Sequence, residues 1–242
     1  MIKMFIGTSA NGEDRDAEMV YEYSLRKNCT EDLDITWMRQ TRDSNSIWGG
    51  WSTSFWSTPF SGFRWAIPEA CGFKGRAIYT DVDMINFRDI NELFTIDMRG
   101  KPLAARRGRR FGGHEFCVML LDNEKMESYL TCVKRMKCIP ETHHRMIKFF
   151  SGNEELVHPL DPRWNCLDGE GLDLRDIWHL HFTTMATQPW KPAWFTGNTA
   201  PHPRQDLVEI WYDIFEEAKD DLAFKKTNNI SEQFGQYNII GQ

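Results

Sequence analysis

Short apolar runs separated by glycine and acidic residues set the frame of this chain. The first, Met1 to Ile6, breaks into Gly7-Thr8-Ser9-Ala10-Asn11-Gly12 and reads as a buried strand entering a loop. Residues 16 to 27 then carry Ala17, Val20, Tyr21 and Leu25 on one helical face, and Asp34-Ile35-Thr36-Trp37-Met38 reads as a second strand. A strand, a helix and a strand in that order predict an α/β fold with helices on the faces of a mainly parallel sheet. Two more apolar runs, Ala77 to Thr80 and Phe116 to Leu121, supply further strands. Near the end, Leu207, Ile210, Trp211, Ile214, Phe215, Ala218 and Leu222 recur at helical spacing. They predict an amphipathic helix within residues 203 to 225, with Pro203 before it and Asp206 as its cap.

Two stretches do not fit this rhythm. Residues 44 to 65 hold Trp48, Trp51, Phe55, Trp56, Phe60, Phe63 and Trp65 among glycines, serines and threonines. So many aromatics in a loop composition suggest a substrate-facing edge or else a packing loop, since function concentrates in loops and flat rings stack on sugars and bases. Residues 99 to 113 read as a basic, glycine-rich loop carrying Arg106, Arg107, Arg109 and Arg110. The adjacent His143 and His144 read as helix surface.

The length, 242 residues, suits one domain over 1–242 with its own core. A net charge of -6 argues against a nucleic-acid partner. No run is long and apolar enough for a membrane span or an export signal. Six cysteines at 29, 71, 117, 132, 138 and 166 form no Cys-x-x-Cys pair, which suits reduced thiols in the cytoplasm.

The chemistry gathers at Asp81-Val82-Asp83. Asp-x-Asp occurs three times, at 14–16, 32–34 and 81–83, and only the last follows a strand-like run. Ligands in open α/β sheets bind beyond the carboxyl ends of strands. Two carboxylates one residue apart there suit a hard divalent cation, Mn²⁺ or Mg²⁺, which also takes phosphate oxygens. His181, in Trp178-His179-Leu180-His181-Phe182, is the best third ligand. A phosphatase of the haloacid dehalogenase type also uses Asp-x-Asp, but it would need Thr or Val where Ile85 stands.

The order of these segments resembles family 8 glycosyltransferases and their GT-A-fold relatives. The resemblance rests on Phe60-Ser61-Gly62-Phe63-Arg64-Trp65-Ala66-Ile67-Pro68-Glu69, on Arg76 to Ile85 around the Asp-x-Asp, on Asn91-Glu92-Leu93-Phe94, and on Val118-Met119-Leu120-Leu121-Asp122. His181 stands where the family opens a His-x-x-Gly-x-x-Lys-Pro-Trp motif, and Phe5-Ile6-Gly7-Thr8 stands at its nucleotide-binding start. The resemblance implies a GT-A fold and a Leloir enzyme. Such an enzyme moves a sugar from a nucleotide sugar, usually a UDP-sugar, to a glycan, lipid-linked or protein acceptor, here with retention. It implies Asp81, Asp83 and His181 as metal ligands. Gly7, Thr8, Ser9, Arg64, Asp81, Val82 and Lys191 would hold the donor, and Asp83, Arg64 and Lys191 would carry catalysis. Trp190 and Trp194 would wall the site opposite the aromatic loop.

Several positions depart from the family. Thr184 replaces its glycine, and Gln188-Pro189-Trp190-Lys191 replaces its Lys-Pro-Trp. Glu115-Phe116-Cys117 replaces Asn-Ser-Gly, and the sugar-contacting Asp-Gln falls near Thr142-His143. These losses keep a second expectation open, a nucleotide-sugar-binding protein without turnover.

Overall fold

A computed structural model of the chain describes residues 1–108, 113–191 and 195–221. Its main sheet has six strands in the order β2-β1-β3-β6-β5-β7. These are β1 (Ile2–Gly7), β2 (Leu33–Met38), β3 (Arg76–Asp81), β5 (Leu103–Arg107), β6 (His114–Asp122) and β7 (Val157–Leu160). β1 lies between two parallel partners that cover both of its edges, and Ile2, Met4, Phe5 and Ile6 are all buried. The sheet is mixed. β6 runs antiparallel to both β3 and β5, while β5 and β7 pair in parallel.

Two expectations about irregular segments are corrected here. The basic stretch 99 to 113 contains β5, whose Leu103, Ala104 and Ala105 are buried in the sheet, so only part of it is a loop. Arg106 is buried as well, while Arg107 is exposed and pairs with Glu154. Arg109 and Arg110 lie outside the described residues. The aromatic stretch is mostly core. Phe63 and Trp65 are fully buried, Trp51 and Phe60 nearly so, and Trp48 and Trp56 pack on them. The rings meet edge to face, with Trp56 5.3 Å and Trp48 5.7 Å from Phe63. Only Phe55 of this group stands out in solvent, 53% exposed. The composition looks like a loop because the backbone turns often, yet the other rings turn inward onto the core around β1.

A second sheet of three strands has the order β4-β9-β8, built from β4 (Met84–Asn86), β8 (Cys166–Leu167) and β9 (His179–His181). β4 follows β3 after Val82 and Asp83 alone, so the chain passes from one sheet to the other across the Asp-x-Asp.

The helices cover the sheet faces. α1 (Arg15–Asn28) buries Ala17, Val20, Tyr21 and Leu25 as its pattern predicts. The short helices α2 (Ile67–Ala70), α3 (Ile90–Phe94), α4 (Asn123–Met126) and α5 (Val133–Lys137) link the strands. α6 (Thr142–Gly152) separates the two neighbouring histidines: His144 is exposed, but His143 is buried and accepts a hydrogen bond from Trp65 Nε1 at 3.1 Å. Burial, then nearby Arg64, holds its pKa down at about 3. α7 (Gln205–Asp220) buries Leu207, Trp211 and Ala218 and packs on α1. Asp206 does not cap it. Its carboxylate instead takes the Arg204 guanidinium, at 2.6 and 2.8 Å. Leu222 lies outside the described residues. No helix among the described residues is long and apolar enough to cross a membrane.

Candidate metal and donor site

The site forms where the two sheets meet. Asp81 ends β3 and is paired on one side with Gly7, the end of β1. On the other side the β3–β6 ladder runs as far as Thr80 opposite Val118, so Asp81 and Cys117 stand next along it. β9 pairs with β4 so that His181 faces Met84, and Phe182 N–H donates to the Asp83 carbonyl at 2.9 Å. Residues far apart in the chain are thus brought to one point by strand register.

Asp81 is buried and firmly held. Its Oδ1 accepts from the Tyr79 hydroxyl and from Arg64 Nη2 at 3.2 Å. Arg64 is itself buried, with Nε on the Ser61 carbonyl and Nη1 on the Phe116 carbonyl, and its guanidinium lies 4.4 Å from the centre of the Tyr79 ring. All three of its nitrogens are engaged within the protein, so Arg64 positions Asp81 from behind.

Asp83 is less satisfied. Its Oδ1 is buried and makes no hydrogen bond, while His181 Nε2 lies 3.4 Å away. Its Oδ2 meets Gln188 Nε2 at 3.5 Å, and Gln188 Oε1 is likewise buried without a partner. His181 is oriented from its other nitrogen, since Nδ1 lies 3.1 Å from Asn165 Oδ1. That contact fixes the proton on Nδ1 and aims Nε2 at Asp83. The same arrangement, a ring N–H on a carbonyl oxygen, orients metal-ligating histidines. Burial by itself would lower the His181 pKa, but Asp83, then Asp81 and Asp168, hold it above the ordinary value.

Negative charge exceeds positive here. Asp14 is buried close by, accepting from the Ser9 hydroxyl and from Ser9 N–H at 3.3 Å. Burial raises its pKa against those bonds, and the charge of Asp83 adds to the rise. Asp168, also buried, accepts from Thr183 at 2.7 Å and lies 3.0 Å from His202 Nε2. A group of carboxylates with an orphaned oxygen and an oriented imidazole fits a divalent cation, which supplies the charge the protein lacks. Asp81, Cys117 and His181 each present one ligand atom, all within 4.8 Å of one another. Burial and the nearby Asp81 push the Cys117 thiol well up from its usual pKa.

The expected donor-binding residues divide into two groups. Thr8 and Ser9 are buried with their hydroxyls turned inward, Thr8 on Glu18 at 2.5 Å and Ser9 on Asp14. Gly7 has a packing reason for being glycine, because a Cβ there would come within 2.5 Å of the Phe60 ring. Val82 is buried. Lys191 is exposed, donates to the Gln188 carbonyl, and has its pKa lowered by partial burial of its ammonium end. Trp190 is buried, stacking on Trp211 at 5.6 Å and meeting Phe182 edge to face. Trp194 lies outside the described residues.

Four residues of the site escaped the sequence. Asn165 sits in the turn Pro162–Asn165, whose proline and tryptophan suggest structure only. Gln188 reads as a departure from a motif, Asp14 lies in an Asp-x-Asp that no strand precedes, and Asp168 carries no pattern. A buried polar side chain is the signal in each case, and sequence does not carry exposure.

No protein-family model matches the sequence, and neither does any curated protein. Solved structures do match. The glycosyltransferase GlyE of Streptococcus pneumoniae TIGR4 superposes with a TM-score of 0.61 at 18% identity, over 89% of this chain and 62% of its own. The galactosyltransferase LgtC, solved with donor and acceptor sugar analogues, superposes with a TM-score of 0.61 at 11% identity, over 89% of this chain and 96% of its own. The bifunctional glycosyltransferase WbbM gives 0.59 at 11% identity, over 91% of this chain and 50% of its own. The chain thus spans less than two thirds of GlyE, and at these identities the likeness establishes the fold. That fold is the GT-A type, with its parallel-rich central sheet.

Proposed function

We propose that the protein is a metal-dependent glycosyltransferase. It binds a nucleotide sugar, foremost a UDP-sugar, and passes the sugar to a carbohydrate-type acceptor with retention of configuration. The observation that carries this reading is the unsatisfied Asp83 carboxylate, set among Asp81 and an oriented His181 where β3 of a GT-A sheet ends. An acidic, underpaired site at that place suits a cation and the diphosphate that accompanies it.

Asp81, Asp83 and His181 would hold Mn²⁺ or Mg²⁺. When bound, such an ion acts as a Lewis acid toward phosphate oxygens and stabilises a nucleoside diphosphate as it leaves. The chain's own residues set the conditions for this. Arg64 and Tyr79 fix one oxygen of Asp81 and leave the other for the site. Asn165 keeps His181 in the tautomer that presents Nε2. Asp14 and Glu18 hold the Thr8-Ser9 loop so that its backbone lines the nucleoside side. Lys191 adds a positive charge for the diphosphate once it leaves the Gln188 carbonyl.

A second reading, binding without turnover, draws support from one feature. Both cations expected at the diphosphate are occupied within the protein, Arg64 on Asp81 and Lys191 on Gln188.

Calorimetry of UDP with Mn²⁺ and then with EDTA tests the site, and UDP release from UDP-sugars tests turnover. Metal-dependent micromolar binding, about -8 kcal/mol, followed by UDP release supports the enzyme. Binding without release supports the binder. Absence of binding by UDP, GDP and CDP overturns both.

A further inference from the structure

We infer that Cys117 brings a sulfur ligand into this centre, making it a mixed carboxylate, thiol and imidazole site that favours a thiophilic cation of the zinc class over Mg²⁺. The inference rests on the reading of this site as a metal centre and adds which cation it selects.

The placement follows from the sheet. Asp81 and Cys117 stand one position beyond Thr80 and Val118, the last pair of the antiparallel β3–β6 ladder, in which opposed side chains emerge on the same face. β9 brings His181 to the same point, and the three ligand atoms lie within 4.8 Å of one another. Tetrahedral metal ligands stand somewhat closer than this, so a bound ion draws them together by a modest side-chain adjustment. Asp81 has an oxygen to give, because Arg64 and Tyr79 both bind Oδ1. Asp83 Oδ1, buried and without a hydrogen bond, stands beside His181 as a further oxygen donor.

Ligand chemistry decides the selectivity. Carboxylate and water sites suit Mg²⁺ and Mn²⁺, whereas sulfur and imidazole nitrogen shift preference toward Zn²⁺ and Co²⁺. On coordination the sulfur releases its proton to solvent and donates the electron pair to the metal, so no redox partner is needed. The other cysteines do not share this placement. Cys166, which is buried where Cys117 is half-buried, points its sulfur at the Arg163 and Pro162 carbonyls, and no other group of potential ligands gathers among the described residues.

Titration of the purified protein with Co²⁺, followed by absorption spectroscopy, tests this without relying on activity. A near-ultraviolet sulfur-to-cobalt charge-transfer band should accompany the visible cobalt bands, and Cys117→Ser should lose the first and keep the second. In parallel, Zn²⁺ affinity by competition should fall about tenfold or more in Cys117→Ser, with Mg²⁺ affinity unchanged. Visible cobalt bands without charge transfer in the wild type would overturn the sulfur ligand and leave the metal centre standing. If Co²⁺ does not bind at all, both fail. Circular dichroism of the variant separates loss of the ligand from loss of the fold.

Discussion

Two buried charge clusters meet at Asn165, and they are built in opposite ways. On one side, Arg106 is surrounded by acceptors: both Glu170 oxygens, the Asn165 carbonyl and Glu115 at 3.6 Å. On the other side, His181 and Asp83 leave Asp83 Oδ1 and Gln188 Oε1 without hydrogen bonds. Asn165 belongs to both, giving its carbonyl to Arg106 and its side chain to His181. The first cluster pairs its arginine with carboxylates of the protein itself, although Arg106 Nε makes no hydrogen bond, and it locks β5 to the Cys166–Glu170 segment. The second, on the reading proposed above, is completed by a cation. A balanced cluster specifies structure, while an underpaired one marks where a ligand belongs.

The sharpest way to break this contrast is Arg106→Met. It removes the Arg106 ion pairs with Glu170 and Glu115, and removing one partner of a buried pair costs about 3–5 kcal/mol. Urea denaturation should show that loss with or without metal, because the cluster is structural. Next is Asp83→Ala, for which thermal denaturation without metal should change little or even improve. Metal-dependent UDP binding should weaken by about a hundredfold or more, read by calorimetry. If Asp83→Ala binds normally, the underpaired cluster is not the site.

Asn165→Ala probes the bridge. Losing the group that orients His181 should weaken metal affinity by about tenfold, the lower range for such supporting residues. Equilibrium dialysis reads this directly. The smallest effect belongs to Asp14→Asn. Burial raises the folded-state pKa of Asp14 above its ordinary 3.8, so its ionised form is unfavourable in the fold. That cost is absent below the unfolded value and is fully present once the pH passes the folded value. The Asp14→Asn variant should therefore raise Tm at neutral pH by about 2 °C, and the gain should vanish in acid. Scanning calorimetry across pH checks the sign, and saturating metal should shrink the gain by neutralising the neighbouring Asp83.

Legibility followed the same contrast. β1, α1, β3, β6 and α7 were readable because apolar spacing fixes them locally. The Asp81-Val82-Asp83 triplet stood out because it ends such a strand. β5 was hidden because Arg106 and Arg107 disguise a strand whose buried arginine is balanced by glutamates distant in sequence. The aromatic stretch misled for a related reason. Glycine and serine there make the turns that let Trp51, Phe63 and Trp65 fold back onto the core, and a loop composition does not tell which way its rings face. Asn165, Gln188 and Asp14 acquire meaning only through neighbours that the fold supplies.

The pairing of β4 with β9 also sets an order of events in folding. Asp81 and Asp83 emerge early from the growing chain, and their partner His181 is delivered only when the later strands have docked. Closing so long a loop is entropically costly and slow, so it comes after the local contacts of β1, α1 and β3. The proposed cation-binding point is therefore a late arrival in the life of the molecule. A nascent chain halted before β9 would leave Asp83 without His181, and metal added during refolding should speed the final step more than the first.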